Sequence, residues 1–185
     1  MFKFWNKILI CFFFLLNVIP NSCVGKEYWQ QFVHYNISAA LFANEHKING
    51  IETLLYQNNS PDTLNTLYFH LYPNAFQKNS VMAKEARKAS VEIVNNSLEQ
   101  GWLKIESITI SKLHPIIQPI NIDTLVDDTI LKIKLSTAIF PDDQLQISLK
   151  FTTKIRQFNY YGGKGGHRNS LYEVSQWYPK ICVYD

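Results

Sequence analysis

Apolar and polar residues alternate along most of the chain after residue 26, which is the period of β-strands. The clearest example is residues 144–152, where Leu145, Ile147 and Leu149 alternate with polar residues. The same period predicts further strands at residues 34–43, 48–57, 64–72, 103–110, 129–136 and 171–178, and a short one at 120–122. Polar turns separate most of these segments, so the pattern predicts antiparallel pairing.

Two hairpins and one central strand follow from the turns and from the faces of the strands. The first two predicted strands are joined by a polar turn at residues 44–47, and the strands at 129–136 and 144–152 by a turn around Pro141. The strand at 64–72 is apolar or aromatic on both faces, which predicts a central strand covered on both sides.

The period changes between residues 80 and 99, where Met82, Ala86 and Ile93 fall on one helical stripe. This predicts one amphipathic helix over about residues 80–99, with Gly101 as the left-handed residue that ends it. Strands with a single helix and no βαβ alternation predict an all-β fold, an antiparallel β-sandwich or saddle with one inserted helix.

Residues 1–25 predict a secretory signal peptide, because Lys3 and Lys7 precede an apolar run at residues 8–19. These two lysines carry two of the chain's formal net charges of +3, so little positive charge remains to indicate a nucleic-acid partner. We therefore expect an exported protein, located in the periplasm, in the cell envelope or outside the cell. We expect no stable membrane span, with an uncleaved N-terminal anchor as the alternative, and we expect residues 26–185 to form one domain.

Residues 171–178 combine strand alternation with Gln176, Trp177 and Tyr178, an amide beside two aromatic rings. That combination is typical of a strand that is half core and half recognition surface. An apolar run then leads to Asp185 with no cap or polar tail. We therefore expect the domain to be truncated at its C-terminal end.

Motifs of known catalytic and metal sites are absent from the sequence. None of the five histidines is followed by Glu, so the zinc-peptidase motif H-E-x-x-H does not occur, and neither does G-x-S-x-G. The pairs Asp127-Asp128 and Asp142-Asp143 occupy predicted turns, where Asp is favoured for its backbone hydrogen bonds. No catalytic residue and no metal ligand is predicted.

The glycine-rich residues 162–166 predict a flexible hairpin tip. A phosphate-binding loop is disfavoured because Lys164 is followed by glycine and the flanking sequence is strand-like. Two interpretations stay open, a plain loop and a lid in which Lys164, His167 and Arg168 face solvent or substrate.

The order of these segments resembles the N-terminal β-domain of the aminopeptidase N-like zinc metallopeptidases, the gluzincins, and especially their secreted bacterial branch. The resemblance rests on YNISAALFANEHKINGIETLLYQNNSPDTLNTLYFHLYPNAF at 35–76, GWLKIESI at 101–108, DTILKIKLSTAIFPDDQLQISLKFTTKI at 128–155 and YEVSQWYPKICVYD at 172–185. The turn NNSPDTL and the segment QWYPK are its most specific parts.

In that family this domain packs on a thermolysin-like catalytic domain and helps to wall the cleft that holds the free N-terminus of the substrate. The resemblance implies a non-catalytic domain without a cofactor of its own, with Zn²⁺ in a catalytic domain that is not in this chain. Its partners are then that catalytic domain and a peptide substrate. The resemblance also implies that Gln176 supplies an amide to the substrate pocket and that Trp177 and Tyr178 wall it.

Two positions depart from the family pattern. Arg156 stands where the family usually has Pro, and Asp142 stands where it usually has Gly. These departures indicate a diverged or decaying copy, so we expect even the complete protein to be a weak peptidase.

A second hypothesis comes from the aromatic residues alone. The chain is then a free-standing exported β-sandwich that binds peptide or carbohydrate. Trp177, Tyr178, Tyr160 and Tyr161 would form its binding platform.

Overall fold

The computed structural model describes residues 29–158 and 165–184, and the predicted signal peptide at 1–25 lies outside them. The fold is antiparallel β-sheet with one α-helix, which confirms the predicted all-β class. The strands are β1 (Phe32–Phe42), β2 (Lys47–Gln57), β3 (Leu64–His70), β4 (Trp102–Lys112), β5 (Gln118–Ile120), β6 (Ile122–Asp127), β7 (Ile130–Ile139), β8 (Gln144–Lys154), β9 (Gly166–Arg168), β10 (Leu171–Glu173) and β11 (Lys180–Ile181). The helices are a 3-10 helix at Tyr72–Phe76 and α1 at Val81–Lys88.

The larger sheet has five strands in the order β1-β2-β8-β4-β5, and every pair is antiparallel. The β1–β2 hairpin runs from the pair Phe32 and Gln57 to the pair Phe42 and Lys47, which confirms the hairpin predicted there. His46 lies in its turn with a φ of 53°, a left-handed backbone that few non-glycine residues adopt.

The smaller sheet of the sandwich has four strands in the order β11-β3-β7-β6, and β9 and β10 form a separate two-stranded sheet. β3 pairs with β7 on one side and with the short β11 on the other, so it lies inside the sheet as predicted. The prediction that both faces of β3 are covered is wrong. Leu67 and Phe69 are buried, but Tyr68 is 42% exposed, with the Lys132 ammonium 6.0 Å from its ring centroid.

The two sheets pack face to face around one apolar core, to which alternate residues of β2, β3, β7 and β8 contribute. Buried residues of this core are Leu54, Tyr56, Leu67, Phe69, Leu131, Ile133, Leu135, Leu145, Ile147, Leu149 and Phe151. The alternation in the sequence therefore identifies the core face of β7 and of β8. Lys132 and Lys134 are exposed on the outer face of β7.

β7 and β8 do not form the predicted hairpin, because β7 pairs with β3 and β6 whereas β8 pairs with β2 and β4. The turn between them crosses from one sheet to the other. Its Asp142 N–H donates to the carbonyl of Asn58 at 2.7 Å, and the Asp143 carboxylate accepts from Lys112 Nζ at 2.6 Å. These bonds join the turn to the ends of β2 and β4, which places β8 in the larger sheet.

The chain crosses between the two sheets a second time at residues 120–122, where the sequence predicted one short strand. β5 ends at Ile120 in the larger sheet, and β6 begins at Ile122 in the smaller sheet. The carbonyl of Asn121, between them, accepts from the backbone N–H of Ser136 at 2.9 Å.

The helix predicted over residues 80–99 is too long, because α1 ends at Lys88. Ser90 has a φ of 60°, and the N–H of Val91 donates to the carbonyl of Ala86 at 2.9 Å. That bond and the left-handed residue close the helix as a Schellman motif. Gly101, predicted as the cap, instead precedes β4.

The start of α1 agrees with the sequence. The Ser80 hydroxyl accepts from the backbone N–H of Ala83 at 3.0 Å, as an N-cap does.

Within residues 29–158 and 165–184, no helix is long and apolar enough to cross a membrane.

Candidate functional site

The segment at residues 174–179, between β10 and β11, carries the three site residues predicted from the sequence. The predicted strand stops at Glu173, and the chain then bends away from any sheet. The Thr153 hydroxyl, on β8, donates to the carbonyl of Trp177 at 2.7 Å, and Pro179 is buried. The segment is therefore held against the end of the larger sheet by side-chain contacts.

Gln176 is exposed, as are Val174 and Ser175 of the same segment, and its φ of 54° is left-handed. Such a backbone costs about 1–2 kcal/mol for a residue with a Cβ. Strain of this kind is found where the surrounding structure directs a side chain for a purpose. Gln176 and Trp177 line the same cavity.

The two predicted aromatic wall residues have separate surroundings. Trp177 is half-buried with its ring centroid 6.0 Å from that of Phe151, and it lines the cavity. Tyr178 is half-buried at 5.7 Å from Tyr35 in an edge-on contact and does not line that cavity. The structure thus brings Gln176 and Trp177 together and leaves Tyr178 beside them, against β1.

The proposed carbohydrate platform receives little support from these contacts. A sugar stacks on an open aromatic face, whereas Trp177 and Tyr178 contact each other edge-on at 5.5 Å and are both half-buried. Tyr160 and Tyr161 lie outside the described residues.

The cavity has a volume of about 50 Å³ and lies between the end of β8, the 3-10 helix and the segment at 174–179. Gly101, Gly165 and Gly166 form part of its wall. A Cβ on Gly166 would lie 3.0 Å from the carbonyl oxygen of Arg156, and Gly165 has a φ of +84°. Close packing at Gly166 and a left-handed backbone at Gly165 therefore favour glycine at these two positions.

Arg156 also lines the cavity, and only 3% of its surface is exposed. Its guanidinium carbon lies 3.9 Å from the ring centroid of Phe76, and its Nε donates to the carbonyl of Gly165 at 3.2 Å. Its two terminal nitrogens are buried and have no hydrogen-bond partner among the described residues. The sequence singled out Arg156 as a departure from the family pattern and not as a site residue.

The charges near Arg156 do not offset the effect of burial on its pKa. Burial lowers the pKa of the Arg156 guanidinium, and the charge of Glu99 opposes this shift. Burial also lowers the pKa of Lys154, whose Nζ donates to the carbonyl of Glu45 at 2.7 Å. The guanidinium remains charged at neutral pH, because arginine does not lose its proton in proteins.

A histidine cluster lies beside the cavity, and the sequence did not reveal it. The rings of His46 and His167 are stacked with centroids 3.6 Å apart and an angle of 8°. The Tyr172 hydroxyl donates to the carbonyl of Ala43 at 2.9 Å and lies 2.7 Å from His46 Nδ1. The Tyr172 hydroxyl proton is donated to the carbonyl of Ala43, so in the contact with His46 it is Nδ1–H that donates to the Tyr172 oxygen.

His167 is 6% exposed, so it does not face solvent as the lid interpretation of this loop would have it, whereas Arg168 is exposed. Its Nδ1 is buried without a partner among the described residues. Burial, and then the charges of His46 and Lys154, lower the pKa of His167. Lys164 of the same predicted loop lies outside the described residues.

Glu52 is a second buried group that the sequence did not reveal. It lies on the core face of β2 with 0% exposure, and neither carboxylate oxygen has a hydrogen-bond partner among the described residues. Burial raises the pKa of Glu52 to about 8. Burial also raises the pKa of nearby Tyr35, and the charge of Glu52 adds to that rise.

Across residues 29–158 and 165–184, no three His, Cys, Asp or Glu side chains are grouped so that they could hold a metal ion. The polar side chains that line the cavity include those of Glu173, Gln176 and Arg156, which offer hydrogen bonds and charge.

Comparison with known proteins leaves the function open. No protein-family model matches the chain, and no curated protein matches it. Among solved structures, the chain is similar to the bovine atadenovirus type 4 fibre head protein, with 11% identity and a TM-score of 0.33 over 68% of this chain and 98% of that chain. A likeness at this score does not bear on function.

Proposed function

We propose that this chain is the non-catalytic N-terminal domain of a zinc aminopeptidase and walls the part of the cleft that receives the free N-terminus of a peptide. The observation that most supports this is the exposed Gln176 amide, which a left-handed backbone holds at the rim of a cavity. Glycine would adopt that backbone without strain. A glutamine at this position is therefore consistent with a role for its side chain.

The chemistry of the rim suits a peptide amine. The amide oxygen of Gln176 is an acceptor for an ammonium N–H, and a hydrogen bond to a charged group contributes about 1.5–3 kcal/mol. Glu173 lines the same cavity and is exposed, which adds negative charge near the amide. Trp177 offers an apolar wall for the first side chain of the peptide.

Bond cleavage under this proposal belongs to a catalytic domain outside this chain. The residues that this chain contributes orient the substrate. A mixture of the purified chain with an aminoacyl-arylamide is expected to show no hydrolysis with or without added zinc. Zinc-dependent turnover by the chain would contradict the non-catalytic assignment.

Binding of the N-terminus can be measured by NMR titration with the dipeptide Ala-Ala and its N-acetyl derivative. We expect Ala-Ala to shift the side-chain amide signal of Gln176, and acetylation to weaken binding about tenfold or more because it removes the ammonium donor. Gln176→Ala should abolish that difference. Gln146→Ala, on the exposed face of β8, is the matched control and should retain it.

Two outcomes would favour the free-standing binding module. One is equal affinity for the free and the acetylated peptide. The other is saturable binding of an oligosaccharide that Trp177→Ala abolishes. Either result would remove the reason to assign Gln176 to a peptide N-terminus.

A further inference from the structure

The edge strands of the two sheets differ in how they are protected against pairing with another chain. An unpaired edge offers free N–H and C=O groups, and proteins usually block it with a short strand, a proline or charged side chains. Three of the edges fit this rule: β11 has two residues, β5 has three and contains Pro119, and β6 carries Asp123 and Asp127. The fourth edge, β1, does not.

β1 is the first strand of the larger sheet and pairs with β2 alone among the described residues. It is 11 residues long, Phe32–Phe42, and contains no Lys, Arg, Asp, Glu or Pro. Residues 38–42 are exposed one after another, so this half of the strand is uncovered on both faces. β1 therefore presents a long, uncharged strand edge that is open to pairing.

The sequence of β1 is self-complementary about its central residue, Ile37. In an antiparallel pair of two β1 strands that cross at Ile37, Phe32 of each strand lies opposite Phe42 of the other. Val33 likewise lies opposite Leu41. Phe32, Leu41 and Phe42 are 48%, 49% and 41% exposed, so the pair would bury apolar surface that a single copy leaves in water. Aromatic and aliphatic cross-strand pairs stabilise antiparallel sheets.

The charges beside β1 do not oppose this pairing. Glu45 and Lys47, next to the Phe42 end, bridge each other at 2.7 Å. A two-fold axis at the centre of β1 places that end of one copy near Gln30 and Gln31 of the second copy, which are uncharged. The pairing therefore brings an internally paired turn against neutral amides.

We infer that β1 pairs antiparallel with β1 of a second copy of this chain, in the register centred on Ile37. The two five-stranded sheets then form one continuous sheet. Because the same strand of both copies makes the contact, the assembly closes at two copies. A contact between two strand edges is smaller than a standard protein interface, so we expect association only at micromolar concentration or above.

The wild-type chain provides the first test. Sedimentation velocity from low micromolar to millimolar concentration should show monomer converting to dimer. Amide hydrogen exchange in β1 should slow over the same range, whereas exchange in β6, the edge with two aspartates, should not change. A chain that stays monomeric throughout would overturn the inference, whether or not its edge binds an extended peptide. A dimer that leaves β1 unprotected would overturn it as well.

Charges at Asn36 and Ser38 test the register, because these exposed residues lie opposite each other twice in the proposed pair. Asn36→Lys with Ser38→Lys sets like charges opposite each other and should raise the Kd of the dimer about tenfold or more. Asn36→Glu with Ser38→Lys sets opposite charges there and should return the Kd to within about threefold of the wild type. Gln146→Lys, on the exposed face of the inner strand β8, is the matched control and should leave the Kd unchanged.

The two double variants give results that separate the possible contacts. An unchanged Kd in the double-lysine variant would locate the contact away from β1 and overturn the inference. Equal weakening by the like and the opposite charges would reject the register centred on Ile37, and with it the inference. Circular dichroism checks that each variant keeps its β-structure. If a variant does not fold, the concentration dependence of the wild type still decides.

Discussion

Glu52 and Arg156 are both charged in water and both buried here, but they lie in different surroundings. Glu52 lies on the core face of β2, whereas Arg156 follows β8 at a cavity lined by glycine. A carboxyl group can lose its charge by taking up a proton, and burial raises the pKa of Glu52 to about 8. Arginine cannot lose its charge, so Arg156 remains a buried cation whose terminal nitrogens have no hydrogen-bond partner among the described residues. The core thus holds a group that can neutralise itself, and the wall of the cavity holds one that cannot.

The largest expected effect concerns Glu52. Its folded pKa of about 8 lies above the ordinary 4.5, so the folded state binds the proton more tightly than the unfolded state. The stabilisation is full below pH 4.5 and is lost as pH rises through 8, at roughly 1.4 kcal/mol per pH unit or about 5 kcal/mol in total. Urea unfolding at pH 5 and pH 8 should show this decrease, and Glu52→Gln should remove it.

The control for this change is Glu85→Gln, on the exposed face of α1, which should leave the pH dependence of unfolding as in the wild type. A decrease that persists in Glu52→Gln would assign the pH dependence to other groups. It would also mean that Glu52 is ionised in the folded state, which would weaken the contrast with Arg156.

A smaller effect is expected from Arg156→Met. Replacement of a buried ion pair by apolar side chains of similar volume is often neutral or stabilising by about 1–4 kcal/mol, and a buried ion without a charged partner also carries a desolvation penalty. Loss of the Phe76 contact and the Gly165 bond offsets part of this gain, so we expect a net stabilisation of about 1 kcal/mol. The midpoint of urea unfolding measures it, with Arg168→Met as the neutral reference.

Stabilisation of Arg156→Met would show that the buried guanidinium costs the fold stability. Destabilisation by about 2 kcal/mol or more, on the scale of typical damaging substitutions, would instead show that the contacts of Arg156 with Phe76 and Gly165 stabilise the fold.

The sequence predicted the β class and most strand positions because one face of each strand is buried, so its residues alternate. It did not predict which strands pair. The turn at Asp142 and Asp143 resembles a hairpin turn locally, and only its bonds to Asn58 and Lys112 carry the chain to the other sheet. Contacts between residues so distant in sequence leave no local pattern.

The candidate site was predicted only in part. Gln176 was identified from the motif QWYPK, but its left-handed backbone was not, because glutamine carries no turn signal. Arg156 and Glu52 are buried by tertiary packing. Glu52 did carry a signal, since it falls in register with Ile48, Leu54 and Tyr56 on the core face of β2.

The smallest expected effect lies at the histidine cluster and has the opposite sign to that of Glu52. Burial and the charges of His46 and Lys154 lower the folded pKa of His167. Its stabilisation is therefore present above the ordinary pKa of 6.5 and is lost as pH falls through the folded value. His167→Phe keeps a ring stacked on His46 but cannot take up a proton, so it should unfold less readily than the wild type between pH 6.5 and pH 5.

Thermal unfolding of the wild type and of His167→Phe between pH 6.5 and pH 5 measures this difference in stability. The control is His34→Phe, on the exposed face of β1, which should behave as the wild type. An unchanged acid profile in His167→Phe would show that the cluster stabilises the fold by packing alone, and the pH dependence of the chain would then rest on Glu52.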